Sequence, residues 1–101
     1  MAFLIRWSPE AIEDLESIAD YISRDSDYYA RSVISKFMDT IRRISEQPFI
    51  GRVLPKIEKE EIRESFVYNY RLIYRIKNNT ITVIAIIHGK RLFENIMDRF
   101  E

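Results

Sequence analysis

"YRLIYRIKNNTITVIAII" (residues 70–87) decides the fold of this chain. Its first eight residues repeat with a period of two. Tyr70, Leu72, Tyr74 and Ile76 fall on one side, and Arg71, Ile73, Arg75 and Lys77 on the other, as successive side chains of a strand do. Asn78 and Asn79 then supply a two-residue hairpin turn, because Asn tolerates the positive φ such turns demand. "TITVIAII" (80–87) loses the alternation and is rich in β-branched residues, the pattern of a strand buried on both faces.

On the N-terminal side, "IRESFV" (62–67) also alternates and makes a third strand, joined to the hairpin through a turn or bulge at "YNY" (68–70). Before it, "PFIGRVLPKIEKEE" (48–61) holds two prolines and Gly51 and reads as a loop. Further back the period changes to that of a helix. Ser8 and Pro9 suit a helix start, and Ile12, Leu15, Ile18, Ala19 and Ile22 recur at spacings of three and four. A second helix fits 27–46, with Tyr29, Val33, Phe37, Ile41 and Ile44 as its apolar stripe, widened by Ala30, Ile34 and Met38, and Pro48 as its stop. "AFLIRW" (2–7) reads as a short first strand, and "LFENIMDRF" (92–100) as a short last helix with an apolar face to dock. The order is βααβββα, which is α+β: a helical hairpin followed by an antiparallel meander.

The totals narrow the class. A chain of 101 residues fits a single domain spanning 1–101, long enough for a hydrophobic core. It has no cysteine and one histidine, which removes disulfides, thiolate chemistry and Cys- or His-rich metal sites. "MAFLI" reaches Arg6 too soon for a signal-peptide core, and "ITVIAII" (81–87) is far short of the ~18 apolar residues a membrane helix needs. A cytoplasmic protein without metal or cofactor is the expectation. The net charge of zero argues against permanent residence on nucleic acid. The charge is unevenly spread, however. Residues 1–50 hold six Lys/Arg and nine Asp/Glu, residues 51–101 ten and seven, and no acid occurs from Ser65 to Phe93.

That acid-free span carries Arg71, Arg75, Lys77, His88, Lys90 and Arg91. Arg71 and Arg75 share a strand face ~13 Å apart. Arginine keeps its charge at cellular pH and grips carboxylate or phosphate with two parallel hydrogen bonds. Arg91 lies just beyond the next strand, within reach of the same surface. The alternative for these arginines is internal pairing with Glu58, Glu60, Glu61 or Glu64. Histidine is a residue type able to trade protons, yet a lone histidine at a strand end, as His88 is, is more often a hydrogen-bonding residue than a catalyst. Gly89 is expected to supply a positive φ where the strand turns away. Tyr68, Tyr70 and Tyr74 have rings able to stack a base, though strand spacing favours the core for Tyr70 and Tyr74.

"WSPEAIEDLESIADYI" (7–22), "IRES…YNYRLIYRI" (62–76) and "IIHGKR" (86–91), in that order, resemble the ParE/RelE superfamily of toxins from type II toxin–antitoxin, or plasmid stabilisation, systems. The resemblance implies a helical hairpin packed on an antiparallel sheet, and a cognate antitoxin encoded in the same operon that wraps the toxin and alone contacts operator DNA. It also implies one of two activities. RelE-like members are metal-independent endoribonucleases that cleave mRNA on the ribosome, whereas ParE-like members poison DNA gyrase. In the RNase branch Arg71 would match an arginine that holds the scissile phosphate, and Arg91 a second that stabilises transition-state charge. A tyrosine of that branch falls here on Met97, which has no proton to give, and His88 would have to substitute. RelE-like toxins are also strongly basic, and this chain is neutral. Both departures favour the ParE branch, with Arg71, Arg75 and Arg91 as the antitoxin- or target-binding surface. The rival readings are the mRNA endonuclease and a degenerate toxin that only binds its antitoxin.

Overall fold

The computed structural model describes residues 2–89 and 93–100. Strand β1 (Leu4–Trp7) leads into helices α1 (Pro9–Ser23) and α2 (Asp27–Glu46). A 3-10 turn (Pro48–Ile50) and the two-residue strand β2 (Arg52–Val53) precede β3 (Ile62–Val67), β4 (Tyr70–Lys77) and β5 (Thr80–His88). A 3-10 helix (Phe93–Phe100) closes the described chain. The five strands form one sheet in the order β1-β5-β4-β3-β2, antiparallel except where β1 runs parallel to β5.

Both long helices start where the sequence places a cap. The Ser8 hydroxyl accepts from the Ala11 amide at 3.0 Å, and the Ser26 hydroxyl from the Tyr29 amide at 3.0 Å, satisfying donors that a first turn leaves open. The apolar stripe of α2 is narrower than its spacing predicts. Ala30, Val33, Phe37, Ile41 and Ile44 are buried, but Tyr29 and Met38 are exposed. On α1, Ala11 and Ile22 are buried, Leu15 and Ile18 pack at the margin and Ile12 faces solvent. Asn78 and Asn79 carry φ of 52° and 61°, the left-handed pair that a two-residue β4–β5 hairpin requires.

The sheet has a core on each face. The hairpin side joins Phe37 and Ile44 to Leu72, Tyr74, Val83 and Ile86. The other side joins Leu54, Ile62, Ile73, Ile84, Ile87 and Ile96. From Val83 to Ile87 every residue of β5 is buried, as its unbroken apolar run requires. Three details depart from expectation. The 48–61 loop contributes a fifth strand; its Arg52 and Val53 pair with Glu64 and Arg63. The last helix is 3-10 rather than α, though it docks an apolar face as expected, with Ile96 fully buried. Gly89 has no positive φ. Its amide donates to the Asn69 carbonyl at 2.7 Å, and a Cβ there would lie 3.1 Å from that oxygen, so close backbone approach is what the position demands. The positive φ of that corner belongs to Tyr68, at 55°.

Candidate functional site

Strand register fixes the neighbours of the cationic face. Arg71 stands opposite Phe66, Ile73 opposite Glu64, and Arg75 opposite Ile62, so Glu64 shares a face with both arginines. The Glu64 side chain is fully buried. Arg71 donates to Glu64 Oε1 through both Nε and Nη2, each at 2.8 Å. Arg52, directly across β2–β3 from Glu64, donates from Nε to the other oxygen, Oε2, at 2.5 Å. One buried carboxylate thus holds two guanidinium groups, and the Arg52 guanidinium also lies 5.5 Å from the centre of the Phe66 ring. Of the four acids available to the arginines, Glu64 is the one that pairs Arg71.

Arg75 turns the other way along the same face. Its Nη2 donates to the Phe100 carbonyl at 3.2 Å, the favourable place for a cation at the C-terminal end of a helix. Arg71 and Arg75 therefore share a face and serve different partners. Arg91 lies outside the described residues.

His88 sits on the opposite side of the sheet from Arg71, because the register places Arg71 against Ile87 and His88 against Tyr70. The His88 ring meets Tyr70 edge-on at 5.5 Å, and Tyr70 meets Phe37 edge-on at 5.8 Å. Burial, then the neighbouring Tyr21 and Tyr29 hydroxyls, push the Tyr70 hydroxyl above its ordinary value. Tyr70 is therefore a hydrogen-bond donor at cellular pH and not a base. Tyr74 is in the core, where its hydroxyl donates to the Pro48 carbonyl at 2.8 Å and accepts from the Gly51 amide at 3.0 Å; Tyr68 is exposed. A groove of about 440 Å³ runs beside α1, lined by Ile18, Tyr21, Tyr70, Ile86 and His88.

A second network ties α1, β5 and the C-terminal 3-10 helix together. Asp14 Oδ2 accepts from the Ile86 amide at 3.0 Å and from Arg99 Nη1 at 2.7 Å. The Ile84 carbonyl accepts from Ser8 Oγ at 3.2 Å and from Arg99 at 3.3 Å. These side chains cover the β5 edge beyond Val83, where β1 has ended. Hydrogen bonding to Asp14 raises the Arg99 guanidinium further above its ordinary value. Asp14 and Arg99 flank no recognisable motif; their pairing joins residues 85 positions apart, which no local pattern reports.

The family model described as the ParE toxin of the type II toxin–antitoxin system, parDE, matches residues 5–93. Among solved structures, the fold is similar to one from the chromosomal ParDE toxin–antitoxin system of P. aeruginosa, at 17% identity and a TM-score of 0.71, over 88% of this chain and 98% of that one. It is also similar to one from the RelBE2 toxin–antitoxin complex of Mycobacterium tuberculosis, at 20% identity and 0.61, over 87% of this chain and 99% of that one. The YoeB dimer of Staphylococcus aureus gives 18% and 0.63, over 87% and 98%. At these identities the likeness is one of fold. No curated protein matches.

Proposed function

The chain belongs to the ParE toxin family of type II toxin–antitoxin systems, and on that premise we propose that it arrests growth by holding a protein target, DNA gyrase, in the cytoplasm. A cognate antitoxin encoded in the same operon neutralises it and makes the only contact with operator DNA. Arg71, Arg75 and Arg91 belong to the surface that meets antitoxin or target.

The observation that carries this reading is the commitment of Arg71 to Glu64. An RNase of this superfamily would need that guanidinium to hold a scissile phosphate. Here a phosphate arriving at Arg71 meets a fully buried carboxylate already bound to it, and the two anions repel. Met97, on the C-terminal 3-10 helix, adds no titratable proton, and His88 lies across the sheet. The groove beside α1 and the exposed Ile12, Tyr21 and Tyr29 of the helical hairpin offer an antitoxin apolar surface to cover.

The test pairs two assays on purified protein. Gyrase-dependent DNA cleavage with intact mRNA in a translation extract is the expected result. Ribosome-dependent mRNA truncation that Arg71→Ala abolishes would replace this reading with the endonuclease. Antitoxin binding with no growth arrest would identify a degenerate toxin.

A further inference from the structure

Arg71 and Arg75 are held by bonds within the molecule; several cations elsewhere are not. Lys36, Thr40 and Arg43 occur at helical spacing on α2, so they share one helix face. That face forms a wall of a 440 Å³ cleft whose other wall includes Arg52, Glu64 and Phe66. Among the described residues, neither Lys36 nor Arg43 takes part in an ion pair. The acid of the cleft, Glu64, is already shared by Arg52 and Arg71, so the lining carries an excess of positive charge. The same lining holds apolar groups in contact with water: Ile50 is 48% exposed and Phe66 56%.

We propose that this cleft between α2 and β3 is where the toxin docks on its protein target, through a target segment that presents carboxylates flanked by apolar side chains. A polyanion would answer Lys36 and Arg43 but leave Ile50 and Phe66 wet. A purely apolar segment would cover those two and strand two cations without partners. A carboxylate between apolar side chains answers both demands. The chain's zero net charge also gives a polyanion no long-range attraction. The cleft lies over β3, whereas the groove beside α1 lies over β5, two strands away, so the two surfaces serve different segments. The proposal rests on the reading that the toxin acts by holding a protein.

The experiment reverses both charges in the full chain, Lys36→Glu with Arg43→Glu, and measures growth arrest without antitoxin and affinity for the cognate antitoxin. Growth arrest should weaken, with surviving colonies rising roughly tenfold or more, and antitoxin affinity should stay within about threefold, which also shows the fold intact. Arrest at the parent level overturns the proposal. Loss of antitoxin binding with a cooperative melt like the parent's also overturns it and assigns the cleft to the antitoxin; where the melt is lost, Phe66→Ser replaces the double variant under the same criteria. If the parent chain itself fails to arrest growth, the target reading fails. The cleft is then read directly with a labelled peptide carrying a Glu-Asp pair between leucine and phenylalanine. Binding that weakens roughly tenfold in the double variant supports the carboxylate site, and no binding to the parent overturns it.

Discussion

The two faces of the sheet are covered by different means. On one, two α-helices of 15 and 20 residues lay down Phe37, Ile41 and Ile44 over Leu72, Tyr74 and Ile86, and area removed from water does most of the work. On the other, the cover is a loop and an eight-residue 3-10 helix. So small a cover encloses the smaller of the two cores, and polar contacts help fix its place: Arg99 to Asp14, Arg75 to the Phe100 carbonyl, and Lys56 to Glu94. Where the cover is large, apolar packing suffices; where it is small, directed bonds position it.

That contrast is breakable by mutation. The largest loss is expected from Phe37→Ala on the hairpin face. Deleting a fully buried aromatic ring should cost about 3–5 kcal/mol in urea denaturation. A loss below about 1 kcal/mol would mean the helices do not carry that face. Next comes Arg71→Ala, which leaves buried Glu64 with only the half-exposed Arg52 as partner and should cost about 2–3 kcal/mol. Combining Arg71→Met with Glu64→Leu should recover most of that loss, since an apolar pair needs no counter-charge. No recovery would indicate a further role for the network in holding β2.

Arg99→Ala is smaller, about 1–2 kcal/mol, and local. Hydrogen exchange should quicken at the Ile86 amide and in the C-terminal 3-10 helix while α2 stays protected. Uniform acceleration would show that the two faces unfold as one. The smallest effect belongs to the exposed Lys56–Glu94 pair. Hydrogen bonding to Lys56 holds the Glu94 carboxyl below its ordinary 4.5, so any stabilisation is present above that value and lost as pH falls through the lowered one. Glu94→Gln should melt slightly below the parent at neutral pH and together with it in strong acid. A difference that persists in acid would point to packing rather than charge.

Much of the fold was legible in the sequence, because its longer elements have clean periods. The bounds of α2, β3 and β4 match the read spans, and β5 runs one residue longer. What escaped depends on distant contacts. Two residues, Arg52 and Val53, are too few to show a period, and only pairing with β3 makes them a strand. Tyr29 and Met38 fit the apolar spacing of α2, yet both are exposed, since spacing alone does not say which side of a stripe its neighbours will cover. At the candidate site the sequence aligned Arg71 with Arg75 on one face and named Glu64 among four possible partners. The register singles Glu64 out, with Arg52 of β2 directly across from it. The sequence also placed Arg91 near that surface, a position outside the described residues. Lys36 and Arg43 went unremarked because a helix surface normally carries such charges; only the wall opposite them makes a cleft.

The parallel pairing of β1 with β5 joins Leu4 to Thr80 and Trp7 to Val83. β1 leaves the ribosome well before β5 and must wait for it, and contacts this distant in sequence are slow to close. During synthesis the hairpin helices emerge early, yet the sheet cannot be completed until β5 has cleared the exit tunnel. A chain cut short upstream of β5 lacks the strand at the centre of both cores. Translation itself thus sets a delay before any copy of this chain can complete its fold.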